Sequence, residues 1–122
     1  MADLRGKNSN GDGLTVKTET RDSAVVVSPT GDIDLSASPI LRQELRKVQG
    51  NRPQRLVINL AAVPYMDSSG VATLVEAMQM ARKNNTALVL CALQDRVRSI
   101  FEIARLDTVF KIVDTIETAV TK

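Results

Sequence analysis

The chain contains no histidine among its 122 residues. A Ser-His-Asp triad, a Cys-His pair and a histidine-ligated metal are therefore excluded within one subunit. The single cysteine, Cys91, lies in an apolar run and cannot form an internal disulfide. We interpret it as a small buried hydrophobic residue of a protein in a reducing compartment.

Aromatic residues make up only 2% of the chain, which predicts an aliphatic core. Proteins that bind single-stranded nucleic acids stack bases on aromatic rings, so this scarcity argues against such a function. The net charge is +2, and no run of Lys and Arg is dense enough for a polyanion-binding patch. We therefore predict no nucleic-acid partner.

Long apolar segments are also missing, since none approaches the roughly 20 residues that cross a bilayer. The first residues carry charges and show no signal-peptide pattern. Residues 1–12 are rich in Gly, Asn, Ser and charge, which predicts a disordered tail. The remainder, 13–122, is the right length for one domain. These features predict a cytoplasmic protein without direct membrane insertion and with no cofactor.

Hydrophobic periodicity predicts alternating strands and helices. Leu14, Val16 and Thr18 alternate with polar residues, as in a half-buried strand, and Leu41, Leu45 and Val48 follow helical spacing. The predicted strands cover 14–19, 24–28, 56–60, 87–92 and 109–113. The predicted helices centre on 39–49, 71–83, 97–104 and 115–121.

The resulting order, β-β-α-β-α-β-α-β-α, predicts an α/β fold with a mixed, mostly parallel sheet of about five strands and about four helices. We expect the helices to pack mainly on one face of the sheet. Ser36 and Ser38 are the predicted N-cap candidates of the first helix, and Asp114 is that of the last.

Polar residues gather where function is expected in such sheets, at the carboxyl ends of the parallel strands. Asp32 and Asp34 follow the second strand, and the segment 65–70, Tyr-Met-Asp-Ser-Ser-Gly, leads from the third strand into a helix. Asp67 or Ser68 would be the N-cap, and Gly70 would leave the first turn sterically open. The alternative interpretation is that these residues only cap a helix and form turns.

A phosphate on Ser68 would place about −1.5 to −2 charges at a helix N-terminus. The helix dipole and free N–H groups favour an anion there, whereas Asp67 opposes it. Because these effects partly cancel, we expect the fold to tolerate the modification. The charge would instead disturb whatever protein docks on this edge.

Residues 13–120 resemble a STAS domain, the module named for sulfate transporters and anti-sigma-factor antagonists. The resemblance depends on Gly31-Asp32-Ile33-Asp34, on the strand 56–60 and above all on the segment 66–70, Met-Asp-Ser-Ser-Gly. The sequence has neither a Gly-x-Ser-x-Gly elbow nor a Gly-x-x-x-x-Gly-Lys loop, so we predict that the chain is not an enzyme. The resemblance has a further implication. It implies a protein that binds an anti-sigma factor with serine kinase activity and so releases a sigma factor.

The resemblance also implies roles for individual residues. The kinase would phosphorylate Ser68 and abolish binding, and a PP2C-type phosphatase would reverse this. Asp34 would lie near that serine, and Ser69 would help to form the same turn. From helical spacing, Thr73, Ala77 and Met80 are predicted to form an exposed docking stripe beside Ser68.

Two other functions remain open from the sequence. A STAS protein can be a regulatory subunit of a transporter or of another signalling complex. In the other alternative, an enzyme would gather Mg²⁺ between Asp32, Asp34 and Asp67, with Lys111 as a counter-charge. That alternative requires the three carboxylates to converge. Oligomeric state is not predicted.

Overall fold

The elements of the fold follow the predicted order. The computed structural model describes residues 13–121, so the predicted disordered tail at 1–12 lies outside the described residues. In the described part of the chain, the strands are β1 (Thr15–Arg21), β2 (Ala24–Thr30), β3 (Arg55–Asn59), β4 (Ala87–Cys91) and β5 (Lys111–Val113). The helices are α1 (Ser38–Gln49), α2 (Ser68–Lys83), α3 (Asp95–Ile103) and α4 (Ile116–Thr121), with a 3₁₀ turn at Leu106–Thr108.

The five strands form one mixed sheet in the order β1-β2-β3-β4-β5. Strands β1 and β2 form an antiparallel hairpin, whereas each later strand is parallel to its neighbour. Each parallel pair is joined through a helix, and right-handed crossovers that advance in one direction leave their helices on one face. The predicted α/β fold with a mostly parallel sheet is therefore confirmed.

The larger core lies between this face and α1, α2 and α3. It includes Leu41, Leu74 and Phe101 from the three helices. The opposite face carries a smaller cluster, in which Ala119 of α4 packs with strand residues such as Val57 and Cys91. Strand β3 is buried on both faces because it lies at the centre of the sheet, as its continuous apolar sequence predicts. None of the described helices could cross a membrane.

Two helix starts differ from the prediction. The N-cap of α1 is Ala37 rather than one of the predicted serines, and the methyl side chain of Ala37 cannot accept a hydrogen bond. Asp34 fixes this start instead, because its Oδ1 accepts hydrogen bonds from the Ala37 N–H at 3.0 Å and the Ser36 hydroxyl at 2.9 Å. At α4, Thr115 Oγ1 accepts from the Thr118 N–H at 3.1 Å, so Thr115 provides the cap predicted for Asp114.

Candidate functional site

Asp67 is the N-cap of α2, in extended backbone conformation. Its Oδ1 accepts hydrogen bonds from the N–H groups of Ser69 at 2.9 Å and Gly70 at 3.3 Å. The Ser69 hydroxyl donates to the same oxygen at 2.5 Å. This hydroxyl bond, helped by the backbone bonds and opposed by burial, holds the pKa of Asp67 below its usual range. The carboxylate is therefore ionised and fixed in place.

The two serines of the segment differ in accessibility. Ser69 is half-buried, and its hydroxyl is bound to Asp67. Ser68 is exposed, and its hydroxyl makes no hydrogen bond within residues 13–121. A modifying enzyme could therefore reach the Ser68 Oγ without breaking the cap of α2.

The loop between β2 and α1 is attached to this cap along its backbone. The Ile33 N–H donates to the Tyr65 carbonyl at 3.0 Å, and the Asp67 N–H donates to the Ile33 carbonyl at 3.2 Å. The Leu35 N–H donates to Asp67 Oδ2 at 3.2 Å. Two segments that follow different strands are thus joined by hydrogen bonds beside Ser68.

Gly70 is required by this close contact, not by an open first turn as the sequence suggested. A Cβ at position 70 would lie 2.6 Å from the Ile33 carbonyl oxygen and 2.6 Å from Met66 Cγ. Real Cβ atoms do not approach backbone oxygens so closely. The absence of a side chain therefore allows the 31–37 loop to pack on the helix.

The acidic residues of this edge do not form a metal site. Asp32 is exposed, whereas Asp34 and Asp67 are engaged with backbone N–H groups. Within residues 13–121, no three acidic, histidine or cysteine side chains come close enough together to hold an ion. Lys111 begins β5 and lines a separate groove with Arg82 and Phe110. The convergence that the enzymatic alternative requires is therefore not found.

The predicted docking stripe is wrong for two of its three residues. Thr73 and Ala77 are buried because α1 packs against this side of α2. Gln49 of α1 donates from Nε2 to the Ala77 carbonyl at 3.0 Å, and the Thr73 hydroxyl donates to the Ser69 carbonyl at 2.9 Å. Met80 is half-buried at the edge of the same interface.

An apolar groove beside Ser68, between the start of α2 and α3, was missed by the sequence reasoning. Its volume is about 380 Å³. We call this the α2–α3 groove; its lining residues are Tyr65, Met66, Asp67, Ser68, Val71, Ile100 and Ala104. Leu35, bonded to Asp67, is 74% exposed, and Ile103, next to Ala104, is 84% exposed. Exposed apolar side chains around a groove are typical of a protein-binding surface.

Comparison with known proteins places this fold and site in a family. The sequence model of the STAS domain matches residues 15–119. The chain therefore belongs to the STAS domain family, as the segment 66–70 suggested.

Similar proteins include regulators of sigma factors. The chain is 31% identical over 100 residues to the anti-sigma-B factor antagonist of Listeria monocytogenes, covering 81% of this chain and 88% of the relative. It superposes on an anti-sigma factor antagonist of Mycobacterium paratuberculosis with a TM-score of 0.84 and 30% identity, covering 93% and 97% of the two chains.

The Bacillus cell fate determinant SpoIIAA in its phosphorylated form shares the fold, at 21% identity. The TM-score is 0.70, with 87% of this chain and 96% of that chain covered.

Proposed function

We propose that this protein is an anti-sigma-factor antagonist controlled by phosphorylation of Ser68. In its unmodified form it binds an anti-sigma factor that is also a serine kinase, in the cytoplasm, and so releases a sigma factor. The observation that carries the proposal is the exposed Ser68 hydroxyl, which has no hydrogen-bond partner among residues 13–121 and lies at the edge of an apolar groove. The names of the Listeria and Mycobacterium relatives support the same function.

The α2–α3 groove would receive apolar side chains of the anti-sigma factor. Val71 and Ile100 are half-buried in the free protein, so a partner could remove their remaining surface from water. Leu35 and Ile103 would add contacts at the rim. This surface replaces the stripe predicted from the sequence, because Thr73 and Ala77 are already covered by α1.

Phosphorylation would act on this surface with little change to the scaffold. The Ser68 Oγ attacks the γ-phosphorus of ATP, the bond to ADP breaks, and the hydroxyl proton passes to a base of the kinase. The cap of α2 uses Asp67 and Ser69 rather than Ser68, so it survives the reaction. A dianion then lies at the edge of the apolar groove and opposes docking. A PP2C-type phosphatase would remove it.

Binding measurements on Ser68 variants test the proposal. Ser68→Ala should bind the anti-sigma factor as the parent does and should resist inactivation by ATP. Ser68→Asp should unfold at the same urea concentration as the parent but bind at least about tenfold more weakly, equivalent to roughly 1.4 kcal/mol. Ser23→Asp, which adds a charge in the exposed β1–β2 turn, is the matched control and should bind normally.

Two results would count against this function. Tight binding by Ser68→Asp would show that charge at this edge does not control docking. If protein recovered with its native partner carries no phosphate on Ser68 and the partner is a transporter subunit, the regulatory-subunit alternative is favoured.

A further inference from the structure

Arg96, in the first turn of α3, lies against the wall of the α2–α3 groove. Its guanidinium carbon is 5.5 Å from the centroid of the Tyr65 ring, a cation–π contact. The Arg96 side chain is exposed and Tyr65 is partly exposed, so the contact is formed at the surface. Contacts of this kind between exposed groups are weak.

Arg96 shares a face of α3 with two residues of the groove. Arg96, Ile100 and Ala104 are spaced four residues apart, and side chains at this spacing lie along one side of a helix. Ile100 and Ala104 line the groove together with Ser68. Among residues 13–121, the groove lining contains no lysine or arginine, and the Tyr65 contact brings Arg96 to its wall.

A phosphate on Ser68 would enter a negatively charged neighbourhood. Asp67 is the residue directly before Ser68, and Asp34 and Asp32 belong to the loop that is bonded to Asp67. A guanidinium can bind a phosphate through two parallel charge-assisted hydrogen bonds, which are stronger than a surface cation–π contact. The phosphate would therefore compete successfully with the Tyr65 ring for Arg96.

We propose that Arg96 leaves the Tyr65 ring and binds the phosphate of phosphorylated Ser68, so that the modified protein closes its own docking groove. The inference rests on the proposed phosphorylation of Ser68. It adds a second reason for lost binding, because the partner would meet both a dianion and an arginine side chain drawn across the apolar surface.

We call the proposed contact between Arg96 and the phosphate the latch. Titration of a phosphoserine incorporated at position 68 during translation tests it. The second pKa of the phosphate, ordinarily about 6, is followed by ³¹P NMR in the parent and in the variants. Arg96→Gln should raise that pKa by at least about half a unit, because an attractive charge is lost. Arg98→Gln is the matched control, since Arg98 pairs instead with Asp114 at 3.6 Å, and should leave the titration unchanged.

An equal pKa in the parent and Arg96→Gln would overturn the latch, and so would an equal shift in Arg98→Gln. This readout requires no partner, so it is separate from the proposed function. If both phosphorylated and unmodified chains bind the anti-sigma factor equally, the proposed function fails whatever the titration shows. If Arg96 binds the phosphate, the phosphorylated Arg96→Gln variant should bind the anti-sigma factor at least about threefold more tightly than the phosphorylated parent.

Discussion

Asp67 holds the segment 65–70 in place because it accepts hydrogen bonds from three residues on two segments of the chain. Ser69 and Gly70 belong to α2, and Leu35 belongs to the loop before α1. Asp67→Ala should lower the free energy of unfolding by about 1–2 kcal/mol, since an N-cap and a loop attachment are lost together. Urea unfolding measures this. Asp32→Ala, an exposed carboxylate of the same loop, should change it by less than about 0.5 kcal/mol.

The acid stability of the protein should depend on the same carboxylate. Its pKa in the folded chain is lowered below the ordinary value of 3.8, chiefly by the Ser69 hydroxyl. The stabilisation is therefore complete above that ordinary value and is lost as the pH falls through the folded pKa. Asp67→Asn should show a smaller decline of unfolding free energy over this acidic range. An unchanged acid profile would show that the Asp67 carboxylate is not responsible.

Gly70 gives a second prediction at the scale of one residue. Gly70→Ala should destabilise the fold by about 1–3 kcal/mol, because the added methyl group overlaps the Ile33 carbonyl. This is opposite to the stabilisation expected from alanine in a helix. Gly50→Ala is the control, since Gly50 has a φ of −60° that alanine adopts readily. Equal stability of Gly70→Ala and the parent, by urea unfolding, would contradict the close packing.

At the scale of elements, α1 and α2 are joined by both charged and buried polar contacts. Glu76 of α2 binds Arg42 at 3.2 Å and also Arg46, and the Arg46 bond chiefly holds the pKa of Glu76 below its usual range. These side chains are partly exposed, so the pairs stabilise the interface only modestly. The buried contact, through Gln49, is the more informative one.

Gln49 is buried, and within the described residues its Oε1 has no hydrogen-bond partner. Gln49→Met should change the free energy of unfolding by less than about 1 kcal/mol, because loss of the bond to Ala77 is offset by removal of an unpaired oxygen. Gln49→Ala leaves a cavity and should cost about 2 kcal/mol or more. Chemical denaturation distinguishes the two variants, and equal losses would show that the bond to Ala77 dominates.

The sequence predicted elements more reliably than the surfaces between them. Leu41, Leu45 and Val48 are buried as their spacing predicts, because α1 packs with one face on the sheet. Helix α2 contacts α1 as well as the sheet. The buried part of its surface is therefore wider than the face that its hydrophobic residues mark. Thr73 can be buried because its hydroxyl bonds within the helix, which a hydropathy pattern does not report.

The start of α2 at Asp67 and Ser68 was predictable from the sequence, whereas its surroundings were not. The local segment 66–70 identifies a cap and an accessible hydroxyl. The groove, however, is lined by residues that are far apart in the chain, from 65–71 on one side and Ile100 and Ala104 on the other. The contact between Arg96 and Tyr65 also joins these two distant segments. The third helix was predicted to extend to Ala104, whereas α3 ends at Ile103 and Ala104 is exposed.

At the scale of the whole molecule, the free energy of unfolding should depend on alkaline pH, because Cys91 is buried on the face of the sheet that packs against α4. Burial, with a smaller effect from Glu117, raises the pKa of the Cys91 thiol from 9.0 to about 11. An unfolded chain would lose this proton first, so the free energy of unfolding should fall as the pH rises from about 9 to about 11.

Comparison with Cys91→Ala tests this dependence. The variant lacks the thiol, so its unfolding free energy should decline less than that of the parent between about pH 7 and about pH 10. Urea unfolding at both pH values gives the two slopes. Parallel slopes would show that other groups cause the alkaline decline.

The order of the strands has a consequence for how the chain is made. Each strand lies beside the one synthesised before it, so no strand has to enter between two that are already paired. As the polypeptide leaves the ribosome, the β1–β2 hairpin can form first and each βα unit can then add to a growing edge. The segment that carries Ser68 belongs to the middle of this progression, so its anchoring loop is already present when α2 emerges.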